Sequence, residues 1–183
     1  MAVEYERKYF ANYLGVDSPY RDFPQHPIRA KRLIEITNPT SVLDVGCAYG
    51  YIVKYLLKEG VEAWGCDVSK HCETKAKEII PNHFRRCPAW ELDFDDKSFD
   101  VVYCEGVLEH LPEDKIEQVF KEFERVGKRF YLQASLEEHD GALASKGHTC
   151  IKPAGWWFGK MPMHSWLALL TATDQNGMWL YKG

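Results

Sequence analysis

The fold of this chain is decided by one stretch, SVLDVGCAYG at residues 41–50. Its first five residues predict a short strand, and Gly46 directly after them lets the backbone turn and approach a ligand. A helix through Ile52 and Leu56 is predicted next, over residues 49–59. In an open α/β sheet ligands bind at this carboxyl end of a strand, beside the free N–H groups of the helix N-terminus. The stretch therefore predicts a strand, a ligand-facing turn and a helix in succession.

The alternation of strands and helices continues after residue 60. Further strands are predicted at 61–66, 83–87, 99–104 and 128–134, with helices after Ser69 and over 113–126 between them, the second of which Gly127 closes. Alternation at this spacing is typical of βαβ units with right-handed crossovers. We therefore expect an α/β fold with a Rossmann-like doubly wound sheet, mostly parallel, and helices on both faces.

The last third of the chain has a different pattern. Residues 165–173 and 178–182 flank Asn176-Gly177, a pair that favours a tight hairpin turn. We expect an antiparallel C-terminal hairpin at the sheet edge. A helix over 164–174 stays an alternative, because Leu and Ala suit both structures.

Composition sets the class of protein. The chain has 183 residues, 45% of them hydrophobic, and a net charge of −4. These values indicate a globular protein and argue against a general binder of nucleic acid or anionic membrane, which needs a basic face. No apolar run reaches the roughly 20 residues of a membrane-spanning helix, and the charged start does not resemble a signal peptide. Six cysteines without a CxxC pair predict free thiols in a reducing, cytoplasmic setting, and no metal cluster is evident.

The length favours a single domain over residues 1–183. Within it we expect residues 1–40 to form an N-terminal helical cap, because Tyr5, Tyr9 and Tyr13 repeat at helical spacing. Residues 135–152 have no periodicity and hold His139 and His148. Aperiodic connections of this length are often lids or binding loops, so we expect a lid there.

The glycine turn does not fit the dinucleotide fingerprint Gly-x-Gly-x-x-Gly. Its register is Gly46-x-Ala48-x-x-Tyr51, and a tyrosine at the third position would obstruct close packing of helix and strand. A phosphate-binding Walker loop is excluded, because no Gly-Lys-Ser/Thr follows.

The turn instead resembles motif I of the class I S-adenosylmethionine-dependent methyltransferases, Asp/Glu-x-Gly-x-Gly-x-Gly. Asp44, Gly46 and Gly50 match that motif, and Ala48 replaces its middle glycine. Asp67, at the end of the second strand, matches the acidic residue that holds the ribose hydroxyls in this family. Residues 91–112 resemble the small-molecule type, related to the quinone-biosynthesis methyltransferases.

The resemblance implies S-adenosyl-L-methionine as cofactor, S-adenosyl-L-homocysteine as product and a small-molecule acceptor. Pro88 stands where relatives have a polar residue, so the backbone of the following two residues is the expected adenine contact. The implied cofactor-binding residues are Asp44, Gly46, Cys47, Gly50, Asp67, Val68, Ala89, Trp90 and Glu105.

Catalytic residues are expected to project from the carboxyl end of the fourth strand and from the lid. Glu105, His110 and His148 are the candidates, with a purely structural role as the alternative for each. The acceptor atom stays open between oxygen, nitrogen and carbon, and no oligomeric state is predicted. Two other functions stay open, a non-catalytic cofactor- or partner-binding protein on the same fold and an NAD(P)-dependent oxidoreductase.

Overall fold

A computed structural model describes residues 7–11, 19–136, 148–161, 166–169 and 177–182. The strands are β1 (Ser41–Val45), β2 (Glu62–Asp67), β3 (Phe84–Arg86), β4 (Phe99–Glu105), β5 (Gly127–Ser135), β6 (Trp166–Leu169) and β7 (Gly177–Lys182). The helices are α1 (Arg7–Ala11), α2 (Gln25–Thr37), α3 (Tyr51–Lys58), α4 (Lys70–Ile79), α5 (Ile116–Val126) and α6 (Ala154–Lys160), with short 3₁₀ turns at Leu108–His110 and Glu113–Lys115.

The strands form one sheet in the order β3-β2-β1-β4-β5-β7-β6. The first five run parallel, which confirms the predicted doubly wound fold. The chain winds outward from β1 in one direction and from β4 in the other, so these two central strands mark the switch point. Asp44 pairs in register with Gly65 of β2 and Tyr103 of β4. Ligands of such sheets bind in the crevice beyond the carboxyl ends at this point.

The far edge of the sheet is antiparallel. β7 pairs antiparallel with β5 and also with β6, so the last strand of the chain lies between them. Strand rather than helix is thus found over residues 166–169. The connecting residues 170–176 lie outside the described part of the chain, and the hairpin turn stays a prediction.

Side chains of the central strands alternate between two cores. Leu43 and Val45 belong to a core with α5 and α6, whereas Val42 belongs to a second core with α2 and α3. This period of two buries both faces of the strand, as a sheet covered by helices on both sides requires.

The helix predicted over 113–126 differs from the structure at its start. Its first turn is a 3₁₀ turn, whereas its last residue is Val126 as predicted, and Gly127 caps the helix and is also the first residue of β5. Gly127 is extended, with φ −114°, so no left-handed cap forms there. A Cβ at this position would lie 2.5 Å from Val102 Cγ2, which explains glycine at the close contact between helix and sheet.

Several predicted segments lie partly outside the described residues. The predicted N-terminal cap is described over α1 and from residue 19 onward. Residues 137–147 of the predicted lid, His139 among them, lie outside the described part of the chain. The cap, the lid and the single-domain boundary therefore stay predictions. Within the described ranges, no helix combines the length and apolar character needed to cross a membrane.

Candidate active site

The glycine loop leaves β1 and is bound at once to β2. The amides of Gly46 and Cys47 both donate to the carbonyl of Cys66, at 2.8 and 3.0 Å. Gly46, Ala48 and Gly50 all have positive φ, at 77°, 50° and 81°. The alanine thus adopts the left-handed conformation that the family's middle glycine would take, and the loop keeps the motif's shape without that glycine.

Both glycines of the loop are required by close packing as well as by φ. A Cβ on Gly46 would lie 2.2 Å from Val107 Cγ2, and one on Gly50 would lie 2.3 Å from Ile80 Cδ1. Cys47 is 5% exposed, and a Cβ at Gly65 would lie 2.5 Å from its Sγ. The Cys47 thiol is therefore turned toward β2, leaving the backbone as the part of this residue suited to a ligand.

Asp67 joins the glycine loop to the start of α4. Its Oδ2 accepts from the amide of Ala48 at 3.1 Å and its Oδ1 from the amide of Ser69 at 2.9 Å. Burial raises the pKa of this carboxyl to about 6, against the lowering effect of the amides of Ser69, Ala48 and Val68 and of the Cys72 side chain. A carboxylate offers about four acceptor positions. Each oxygen therefore keeps capacity for a hydroxyl donor such as a ribose diol.

Two further carboxylates lie at the same edge of the sheet. Asp44 is 4% exposed, and no hydrogen bond reaches its carboxylate from the described residues. Burial, then the neighbouring Glu105 and Asp67, raises the pKa of Asp44 well above its ordinary value. A buried acceptor in this position favours a ligand that brings a positive charge or a donor.

Glu105 ends β4 and is already bound by two protein groups. Arg29 of α2 places Nε 3.2 Å from its Oε1, and the Tyr103 hydroxyl donates to its Oε2. Burial raises the pKa of Glu105, and Arg29 and the Tyr103 hydrogen bond oppose that rise. These contacts suit a positioning role for Glu105 better than proton transfer.

The predicted adenine side lies one strand further out. Val68, directly after Asp67, is 46% exposed although apolar. Ala89 is buried, and Trp90 packs against the core, both after the carboxyl end of β3. Since β3 adjoins β2, the sheet brings all three residues to the edge that carries Asp67.

The two histidine candidates meet on the other side of the switch point. His110 lies in the turn after β4, His148 follows β5 in the chain, and their ring centroids are 4.6 Å apart at 65°. Glu109, beside them, was missed by sequence reasoning and is 2% exposed. In the sequence, a glutamate in a polar turn is expected to be solvated. Its position next to His110 was the one signal that could have marked it as a site residue.

Comparisons with known proteins agree with this geometry. Residues 43–129 match the family described as Methyltransferase domain. A ubiquinone biosynthesis O-methyltransferase of Idiomarina loihiensis is 32% identical in an alignment 122 positions long that covers 59% of this chain and 50% of that relative. The chain spans about half the length of the curated relatives it matches.

Solved structures show the same fold at low identity. A protein of Pyrococcus horikoshii superposes with a TM-score of 0.70 at 18% identity, covering 96% of this chain and 97% of that one. A TehB-like SAM-dependent methyltransferase of Corynebacterium glutamicum gives 0.65 at 18%, covering 83% and 85%. Residues 43–129 thus match a methyltransferase domain, and the sheet has the fold of solved S-adenosylmethionine-dependent methyltransferases. S-adenosylmethionine is the cofactor of this class.

The residues at the crevice fit that cofactor. The loop keeps three left-handed residues at the motif positions, Asp67 retains acceptor capacity, and Asp44 is a buried carboxylate without a donor from the described chain. Three carboxylates lie at this edge, with Arg29 and Arg32 near Glu105, and a ligand carrying sulfonium and ammonium charges would balance the carboxylates that lie away from these arginines.

Proposed function

We propose that this protein transfers a methyl group from S-adenosylmethionine to a small-molecule acceptor. The observation that carries the proposal is the Asp67 carboxylate bonded to the amide of Ala48, which joins the glycine loop to the second strand at the switch point. This arrangement places the glycine loop after β1 and the carboxylate at the end of β2 side by side, where both can contact one ligand. The matched family and the relatives' printed function support the same activity.

Each predicted cofactor residue has a defined part in this proposal. Asp67 would accept from the ribose hydroxyls, Asp44 would face the ammonium group, and the backbone of 46–50 would line the crevice. Val68, Ala89 and Trp90 would supply the apolar walls of the adenine site. When bound, the cofactor supplies a methyl group activated by its sulfonium charge, so the chain must mainly orient the acceptor and exclude water.

The acceptor would lie on the side of the histidine pair. An imidazole within reach of a hydroxyl accepts its proton as the nucleophile attacks, and His110 and His148 are the candidates for that role. Their position beyond the ends of β4 and β5 supports it. We favour a hydroxyl acceptor, because oxygen nucleophiles need this assistance and several of the curated relatives are ubiquinone biosynthesis O-methyltransferases.

Binding measurements separate this function from its alternatives. S-adenosylhomocysteine at a hundredfold excess over its Kd should stabilise the folded protein by about 2.7 kcal/mol, whereas NAD and NADP should not. Transfer of labelled methyl groups to a panel of phenols, catechols and hydroxy acids tests turnover. Stabilisation without any transfer would favour a non-catalytic binding protein, and stabilisation by NAD alone would favour an oxidoreductase.

A further inference from the structure

One cluster of potential ligands lies outside the predicted cofactor crevice. Glu109, His110 and His148 each offer one ligand atom, and these three atoms lie within 4.8 Å of one another. The first two residues belong to the turn after β4, and the third comes from the segment after β5. The cluster therefore depends on the packing of two distant parts of the chain.

Glu109 is fixed in place by the protein around it. Its Oε1 accepts from the Ser135 hydroxyl at 2.8 Å, and its backbone carbonyl accepts from the amides of Thr149 and Cys150 at 2.9 and 3.0 Å. These bonds connect the turn to the end of β5 and to the segment that carries His148. The turn that carries Glu109 is thus fixed to two other segments before any ligand binds.

The second oxygen of Glu109 has no such partner. Its Oε2 is fully buried and receives no hydrogen bond from the described residues, while the residue as a whole is 2% exposed. A buried carboxylate oxygen without a donor is costly to desolvate. A positive ligand at this point would offset that cost.

We propose that Glu109, His110 and His148 bind a divalent transition-metal ion of the Zn²⁺ type. Two imidazoles and one carboxylate are a ligand set that such ions prefer, whereas Mg²⁺ and Ca²⁺ favour oxygen donors. Around a tetrahedral ion with bond lengths of about 2.1 Å, the ligand atoms lie roughly 3.4 Å apart. A modest rotation of the imidazoles would bring the three ligand atoms from within 4.8 Å of one another to that separation. Three protein ligands leave a coordination position open.

The open coordination position would let the ion bind the acceptor hydroxyl. This role of the ion rests on the proposed function. A hydroxyl bound to such an ion loses its proton more readily. The two histidines would then act as ligands, and the ion would activate the acceptor oxygen in place of an imidazole base. Metal binding itself is independent of cofactor and acceptor, so it is measured without either.

The test is metal titration of the full chain after removal of bound metals with a chelator. We expect one Zn²⁺ per chain by calorimetry, no comparable binding of Mg²⁺, and a Co²⁺ spectrum without thiolate charge transfer. Glu109→Gln keeps the volume and an oxygen for Ser135, and His148→Asn keeps a polar side chain. Each should weaken Zn²⁺ binding at least tenfold, with unchanged affinity for S-adenosylhomocysteine.

His83→Asn is the matched control, because His83 hydrogen-bonds the Ala63 carbonyl through Nδ1 on another part of the sheet. It should leave Zn²⁺ binding unchanged. Absence of stoichiometric binding by the wild type would overturn the proposal. So would equal affinity in His148→Asn, or a thiolate signature in the Co²⁺ spectrum, since the chain also carries six buried cysteines. Retained S-adenosylhomocysteine binding shows that each variant is folded.

Discussion

The two halves of the crevice are built in different ways. On the cofactor side, the glycine loop is one continuous segment, and backbone amides make most of its contacts. On the histidine side, the turn after β4, the end of β5 and the segment that carries His148 meet around a buried Glu109, through both backbone and side-chain contacts. The first kind of site leaves a readable motif, because backbone geometry constrains adjacent residues. The second leaves isolated polar residues, whose proximity arises from packing.

Removing an imidazole from the histidine side should have the largest effect. His148→Ala is expected to lower kcat by two orders of magnitude or more, the usual contribution of proton transfer or of an activating ion. Its Kd for S-adenosylhomocysteine should change less than twofold, as measured by calorimetry. His83→Ala serves as the control for loss of a histidine elsewhere. Equal losses of turnover and cofactor affinity would contradict the division of the crevice into two sides.

Breaking the glycine loop should act through stability. Gly46→Ala combines a positive φ with a Cβ 2.2 Å from Val107, so we expect a loss of at least about 3 kcal/mol in urea unfolding. Gly60→Ala is the matched control, with φ 81° and no atom within 4 Å of its Cβ. It should cost about 1 kcal/mol. Similar losses in both variants would show that φ alone, not the contact with Val107, requires the glycine.

Asp67→Asn should weaken the binding of S-adenosylhomocysteine by roughly 1.5–3 kcal/mol, which is the scale of hydrogen bonds to a charged group. Asparagine keeps one acceptor oxygen for the loop, so the fold is expected to persist. Calorimetry gives the affinity, and circular dichroism checks the fold. A Kd equal to that of the wild type would remove Asp67 from the cofactor site.

The raised pKa of Asp67 predicts two opposite pH dependences. Because burial raises this pKa to about 6 from 3.8, its contribution to folding is most favourable below pH 3.8 and is lost as pH rises to about 6. Cofactor affinity should instead rise with pH up to about 6, by at most tenfold per unit, because the ionised carboxylate accepts from the diol. Asp67→Asn should flatten both profiles. An unchanged slope would assign the titration to another group.

The smallest expected effect is at the middle of the loop. Ala48 has φ 50°, a conformation that glycine adopts without strain. Ala48→Gly should therefore stabilise the protein by about 0.5–1 kcal/mol, after the greater freedom of glycine in the unfolded chain is subtracted. Thermal unfolding measures the change. A destabilised variant would show that the methyl group of Ala48 makes contacts that outweigh its strain.

Much of the fold was predictable because it is a local property. The strand–turn–helix unit at 41–59 and the parallel order follow from hydrophobic periodicity and glycine position, and the structure confirms them. Gly127 was predicted as the residue that follows the helix, but its close contact with Val102 was not, because that contact lies across the sheet and has no trace nearby in the sequence. Hydrophobic periodicity and turn residues in the sequence do not predict long-range contacts of this kind.

The parallel α/β sheet, the glycine loop and the acid at the end of β2 could all be predicted from local pattern, since each depends on neighbouring residues and on the directions that backbone sterics allow. Which polar groups share a site follows only from the packing in three dimensions. It pairs Glu105 with Arg29 and Tyr103, and it joins Glu109 to both histidines. The physical reason is that these contacts are set by the packing of helices and loops over the sheet, which brings together residues up to 76 positions apart.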